Sequence, residues 1–371
     1  LLLPGWVNAH THLDLTAVLG QLPGTADRFA DWARALERVR GSWPPGVVRQ
    51  SITAGLDLLG STGTTTVAHA SALPELEPFL EHPMRAVVFH EVTGFEGKRA
   101  GELVRQAEDW LDAAAALVRD EGLQRITLGL APHAPYSVSP PLLQGLGEVA
   151  ERRGLPLSLH LSETRAELEF FRTGEGPLRE LAEERGTWDP SWTHPGVSPA
   201  RYLADLGLLE GRSGALRGLA VHCNYLSAED LGLLARGGWM PVWCPGSHLF
   251  FGHRDHPAAR LLDAGAPVAL GTESLAGNRA LNMLREVRLA AEIRPEVPRD
   301  LWLRAGTLAA AEGLGLGAVT GSLEAGKAAD LQVLEGVPEE GTDPLVALFE
   351  AGLRVRLVLV DGAEMKIKIS A

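Results

Sequence analysis

Eight short apolar runs, each followed by a stretch that reads as helix or connection, constrain this chain more than any other feature. The runs are Gly5–His10, Thr64–His69, Arg85–Glu91, Ile126–Ala131, Pro156–Leu161, Leu219–His222, Met240–Cys244 and Pro267–Gly271. Between them, Gly101–Gly122 and Ser139–Gly154 read as helices, and the second opens on Ser-Pro-Pro and stops at a glycine. Strands that alternate with helices are joined by crossovers and therefore run parallel. Eight such units predict a closed (β/α)8 barrel. An open doubly wound sheet is the competing architecture, and the lack of a GxGxxG after the first strand weighs against it.

From about Thr320 the text turns strand-rich. Alternation is clear in Arg354–Val360, and Asp361-Gly362 is a hairpin signal. The expected organisation is a barrel over residues 1–318 and a small β-rich subdomain, a partial sandwich, over residues 319–371. Trp188–Arg212 is a long connection rich in Pro, Gly and Ser. A loop of that length usually has a job, and here it is placed to cover the active face.

Composition narrows the function class. With 45% hydrophobic and 22% charged residues, the 371-residue chain lies in the ordinary globular range. A net charge of -13 argues against nucleic acid or an anionic membrane as the main partner. No apolar stretch reaches the roughly 18–20 residues of a membrane span. The opening LLLPGWVNAHTHLD has no basic segment and no small-residue cleavage site, so it does not read as a signal peptide. Two cysteines, Cys223 and Cys244, in apolar runs are expected to be buried free thiols. A cytoplasmic enzyme acting on a small molecule, as a monomer or a homodimer, is the expectation.

The strongest chemical signal is NAHTHLD at the end of the first strand. Side chains at i and i+2 of a strand point the same way, so His10 and His12 can converge on one ion. His160 ends the fifth strand in LSLHLSE, with Glu163 three residues on; His222 ends the sixth in LAVHCNY; Glu273 follows the eighth in ALGTES. Barrel enzymes pool their working residues from the C-terminal ends of several strands, and each of these lies at such an end. Imidazoles His10, His12 and His160 suit zinc or a similar divalent metal. Glu273 can ligate that metal or take a proton from its water, Glu163 can shuttle a proton, and His222 can orient the water or stabilise developing charge. Glu91 and His69 end strands and are expected in the pocket wall. Arg165, just past Glu163, is expected at a substrate's far end or in solvent. The loop pairs His253/His256 and His82/His194 are expected at the surface, and Trp188 and Trp192 either cap the pocket or pack the loop.

The segments PGWVNAHTHLD, HAPYSV (His133–Val138), LHLSET (Leu159–Thr164), VHCNYL (Val221–Leu226), CPGS (Cys244–Ser247) and ALGTES (Ala269–Ser274) occur in that order. Together they resemble the amidohydrolase superfamily, in particular its branch of cytosine, guanine and S-adenosylhomocysteine deaminases and triazine chlorohydrolases. The resemblance implies one catalytic metal on His10, His12 and His160, Glu163 as the proton-shuttling glutamate, His222 as the catalytic histidine and His133 as a substrate contact. It also implies a small sandwich beside the barrel, and hydrolytic deamination of an amino-substituted heterocycle. The long connection is similar to that of the subgroup acting on 6-aminodeoxyfutalosine. Hydrolysis of a halide or cyclic amide, or a weakly active binding protein, are the alternatives.

Three departures stand out. Glu273 occupies the place of the family's usual Asp, and its carboxylate reaches roughly 1.5 Å further. His248 follows Ser247 where Asn is common, and is expected as a surface variant. The first barrel strand falls at the very start of the sequence, so Arg354–Ile369 is expected to have few sheet partners.

Overall fold

The computed structural model describes residues 1–22, 29–209, 218–336, 341–350 and 352–366. Its twelve strands form two sheets. The larger holds β2 (Trp6–Thr11), β3 (Thr64–Ser71), β4 (Arg85–Val92), β5 (Ile126–Pro132), β6 (Leu157–Leu161), β7 (Gly218–His222), β8 (Met240–Trp243) and β9 (Ala269–Leu270), in chain order. Every pairing along it is parallel. The two ends meet where the Thr272 and Glu273 amides donate to the His10 carbonyl at 3.1 and 3.2 Å. The expected (β/α)8 barrel is therefore present, and each of its eight strands falls where an apolar run was read.

The helices follow from caps and stripes. Pro140–Arg153 starts after Ser139 with proline in its first turn and ends on Gly154, whose φ of 65° a residue with a Cβ rarely adopts. Ala100–Asp120 buries Ala107, Leu111 and Ala114, an i, i+4, i+7 stripe, against the barrel wall. Inside the barrel, Val7, Ala9, Ala68, Val87, Val221 and Val242 belong to one buried apolar cluster. No helix among the described residues is long and apolar enough to cross a membrane.

The second sheet is antiparallel, in the order β1 (Leu2–Pro4), β10 (Leu331–Glu335), β11 (Arg354–Val360), β12 (Ala363–Glu364). Asp361 and Gly362 both have positive φ, 50° and 78°, as a two-residue hairpin turn of type I′ requires. The tail expected to be short of partners has one on each side of β11, and residues ahead of the barrel supply β1. Residues 367–369 of that tail lie outside the described residues.

A buried ion pair joins the two sheets: Arg85, at the start of β4, donates to Asp330 at 3.0 Å, both side chains nearly inaccessible. Truncating one partner leaves the other charge buried without compensation, which costs roughly 3–5 kcal/mol. Arg85→Ala should lower the free energy of urea unfolding by about that amount, and a change below 1 kcal/mol would contradict the role.

The long connection differs from a bare loop. It contains the helix Pro199–Asp205, capped by Ser198, and residues 210–212 lie outside the described residues. Trp188 stacks on Phe95 and Trp192 on Phe170. Both tryptophans thus pack the connection onto the barrel rather than cap the pocket.

Candidate metal centre

The C-terminal ends of β2, β6, β7 and β9 bring His10, His12, His160, His222, Glu163 and Glu273 into one buried cluster. His10 Nε2 lies 2.9 Å from Glu273 Oε2, and His12 Nε2 lies 3.2 Å from His160 Nε2. One ligand atom from each of His10, His12, His160 and Glu273 fits within a 4.8 Å span. His222 Nε2 stands 3.5 Å from Glu163 Oε1 and 3.8 Å from Glu273 Oε2.

Hydrogen bonds set the tautomers. His12 Nδ1 donates to the Ala70 carbonyl at 2.8 Å, and His160 Nδ1 to the His133 carbonyl at 2.7 Å. A carbonyl only accepts, so each ring carries its proton on Nδ1 and turns a lone pair on Nε2 inward. Two lone pairs 3.2 Å apart repel unless positive charge lies between them. Burial opposes charge on His12, yet the carboxylates of Glu273, Glu91 and Asp14 outweigh it and raise its pKa. Burial and the imidazoles of His133, His10, His12 and His222 press His160 far down. The donor set and its demand for positive charge fit a divalent ion held by three nitrogens and one carboxylate oxygen.

The two central carboxyls are driven apart. Burial opposes ionisation of Glu273, but the imidazoles of His12, His10 and His222 outweigh it and hold the group well below the usual carboxylate range. Burial, with the charges of Glu273 and Glu167, pushes Glu163 well above that range. The pKa values of the two carboxyls are thus moved in opposite directions, the separation on which an acid–base division of labour rests. Burial keeps His222 neutral, with a pKa pushed down to about 3.

Strand ends place these groups through unusual backbone. Ser162, His222, Cys223 and Glu273 all have positive φ, between 51° and 71°. Such conformations cost about 1–3 kcal/mol each and persist only where the surroundings hold them. Around Glu273 they do. Thr11 donates to its carbonyl, Asn8 and Asn278 bind Thr272, and Ser274 Oγ donates to Glu273 Oε1 at 3.1 Å. With Oε1 so occupied, Oε2 is the oxygen turned toward His10. Glu273→Asp withdraws it by roughly 1.5 Å. We expect at least a tenfold loss of metal affinity in a competition titration; unchanged affinity would show that the carboxylate does not ligate.

A cavity of about 470 Å³ opens above the cluster. His133 and Glu91 line it as expected; His133 Nδ1 lies 2.6 Å from Ser137 Oγ, and Glu91 has a buried Oε1 with no hydrogen-bond partner in the structure. Arg165 does not line it. This exposed first residue of the helix Arg165–Thr173 lies over the Tyr225 ring and lines a second cavity beyond Phe29 and Phe251. His69 is also outside the wall: fully buried, it accepts from the Leu13 amide at 3.1 Å and packs on Phe79 behind the metal loop.

Sequence reasoning missed the cavity's roof. The helix Phe29–Gly41 contributes Phe29, Trp32, Ala33, Leu36, Glu37 and Arg40, a stripe at i, i+3, i+4, i+7, i+8 and i+11 that a helical-period count would have found. The helix Pro177–Glu184 faces it, and Arg34–Glu184 and Arg185–Glu37 ion pairs link the roof's two sides. Two histidines expected at the surface are buried. His256 stacks on Trp243 with ring centroids 4.4 Å apart, and His248 bonds Asn224. His248 lies in the short helix Pro245–Phe250, whose first four residues are buried, and the Trp243 ring packs against both imidazoles. His253 is half-buried against Tyr225, His82 is half-buried and His194 is exposed. Cys223 and Cys244 are buried free thiols.

The profile of the amidohydrolase family matches residues 1–365. An aminodeoxyfutalosine deaminase of Deinococcus radiodurans is 35% identical over 317 residues, covering 81% of this chain and 70% of its own length. A 5-methylthioadenosine/S-adenosylhomocysteine deaminase of Moorella thermoacetica is 30% identical over 386 residues, 97% of this chain and 80% of its own. Among solved structures, an adenosine deaminase from Xanthomonas campestris with bound zinc superposes with a TM-score of 0.77 at 27% identity, covering 98% of this chain and 80% of that one.

Proposed function

Because this chain belongs to the amidohydrolase family, we propose that it is a metal-dependent deaminase that removes the exocyclic amino group of an adenine nucleoside as ammonia. The observation that carries this reading is the convergence of the His10, His12 and His160 imidazoles with Glu273, and the placement of His222 and Glu163 beside them. The names of the relatives supply the substrate class.

His10, His12, His160 and Glu273 would hold one ion. We propose zinc, which the Xanthomonas campestris relative binds, with iron the other ion suited to such ligands. The chemistry that ion supplies when bound is a nucleophilic water at neutral pH, since coordination lowers the pKa of water from 15.7 to about 7. Oxygen adds to the amine-bearing ring carbon, the carbon–nitrogen bond breaks and ammonia departs. Glu163, which faces the cavity, would give its proton to a ring nitrogen, then take the proton of the added oxygen and pass it to the leaving amine; the other proton of the water restores Glu163. His222 Nε2, between Glu163 and Glu273, orients the attacking oxygen. Burial of the cluster strengthens each of these interactions.

The cavity volume falls within the usual range for small-ligand pockets, ~300–1,000 Å³. Glu91, with its unpartnered Oε1, and His133 would contact the nucleoside. Arg165 would meet only a substrate whose far end passes Phe29 and Phe251 into the second cavity. Within this class 6-aminodeoxyfutalosine is our preferred substrate, on the strength of the Deinococcus radiodurans relative. The test is ammonia release by zinc-loaded protein across adenine, guanine, cytosine and their nucleosides, including 6-aminodeoxyfutalosine and 5′-substituted adenosines. The highest kcat/KM is expected with 6-aminodeoxyfutalosine. Ammonia from a cytosine or guanine compound alone, or from none, would overturn the proposal.

A further inference from the structure

Glu163 owes its position to its backbone. His222 Nε2 stands 3.5 Å from Glu163 Oε1, too far to fix the carboxyl group by a hydrogen bond. Its peptide groups are clamped instead. The Glu163 amide donates to Glu167 Oε2 at 2.8 Å, and the Glu163 carbonyl accepts from Asn224 Nδ2 at 2.9 Å. Asn224 lies two residues past His222, so this second clamp ties the β6 loop to the β7 loop.

Asn224 is held in turn by His248. Its Nδ2 faces the Glu163 carbonyl, so its Oδ1 is the atom that lies 3.0 Å from His248 Nδ1. That oxygen only accepts, and the imidazole therefore carries its proton on Nδ1. His248 is buried, and its edge meets the Trp243 ring at 90°. No residue of the helix Pro245–Phe250 that carries it lines the cavity, although Phe251, next in the chain, does.

We propose that His248 is a positioning residue: through Asn224 it fixes the backbone of Glu163, and with it the distance over which the proton travels. An asparagine amide nitrogen at this position can reach about where the imidazole Nδ1–H does, so that substitution keeps a donor for Asn224 Oδ1.

This inference rests on the deaminase reading, so its test includes one readout free of turnover. Three variants separate the outcomes. His248→Leu keeps the volume and loses the donor. Misplacing a reacting group by about 1 Å costs on the order of 100-fold, so kcat should fall 10- to 100-fold while KM stays within threefold and bound metal is unchanged. His248→Asn should restore kcat to within about threefold of the parent. A kcat for His248→Leu within twofold of the parent, or no rescue by His248→Asn, overturns the proposal. Should His248→Leu fail to fold, Asn224→Asp keeps the acceptor for His248 but loses the donor to Glu163, and unaltered kcat there overturns it equally. Long-range ¹⁵N–¹H spectra of histidine-labelled protein should show His248 as the Nδ1–H tautomer, with its signal displaced in Asn224→Asp. The opposite tautomer overturns the contact whatever the substrate. A parent that releases no ammonia while His248 shows the Nδ1–H tautomer counts against the deaminase reading, not against the contact.

Discussion

Glu163→Gln is expected to lower kcat by about 1,000-fold while the protein keeps its metal and its fold. General acid–base groups contribute roughly 10²–10⁴-fold to rate, and Glu163 is asked for proton transfers at both the ring nitrogen and the leaving amine. The substitution is isosteric. Its amide can still meet His222 and fill the same wall of the cavity, but it cannot give up and take back a proton. KM should move by only a few fold, because the lost interaction belongs to the transition state. Steady-state ammonia release and elemental analysis of the same preparation check this. Burial, reinforced by the Glu273 and Glu167 charges, raises the pKa of Glu163 and so favours its acid form. A variant within tenfold of the parent would place the proton transfer on another residue.

The second large effect concerns the ion. His160→Ala deletes one of the three inward-facing imidazoles and is expected to lose both the metal and at least 1,000-fold in activity. Chelator-stripped parent protein should lose activity to the same extent and recover it on adding zinc, whereas His160→Ala should not recover at micromolar zinc. Stability should follow. A ligand present at 1,000 times its dissociation constant stabilises the folded state by about 4.1 kcal/mol, so stripping should lower the melting temperature of the parent and leave that of His160→Ala unaltered. Full retention of metal by His160→Ala would remove it from the ligand set. His133 sits behind this ligand: its carbonyl fixes the His160 tautomer through a 2.7 Å bond. The backbone of one cavity residue thus orients a ligand from the neighbouring strand.

Much of the site was legible in the sequence because strand periodicity is local. His10, in β2, and His12, one residue past its end, face the same way by virtue of a two-residue spacing, and their ring centroids lie 4.8 Å apart. Glu163, His222 and Glu273 were found because each follows an apolar run, and a barrel gathers all such ends on one face. Arg165 and His248 show where this kind of reasoning stops. Arg165 is two residues from Glu163, yet the first turn of its helix directs it over Tyr225 and out of the metal cavity. His248 stands in a short segment without strand or helix periodicity, and its burial depends on Trp243 and Asn224, which only folding brings beside it. The roof helix Phe29–Gly41 did carry a periodic stripe, hidden because charged and apolar residues share it.

The sequence by itself determined the parallel barrel, the turn of the tail at Asp361-Gly362, and the set of imidazoles and carboxylates that meet at the barrel mouth. These follow from spacing along the chain, where a two-residue or 3.6-residue period decides which way a side chain points. Which ring nitrogen carries the proton, in which direction each carboxyl's pKa moves and which residues hold the working groups from behind follow from the folded arrangement alone. Those properties arise from contacts such as His10 with Glu273, 263 residues apart, and from burial that depends on the whole surrounding shell. No local pattern encodes a desolvated carboxyl, because its pKa is set by every charge and dipole packed around it.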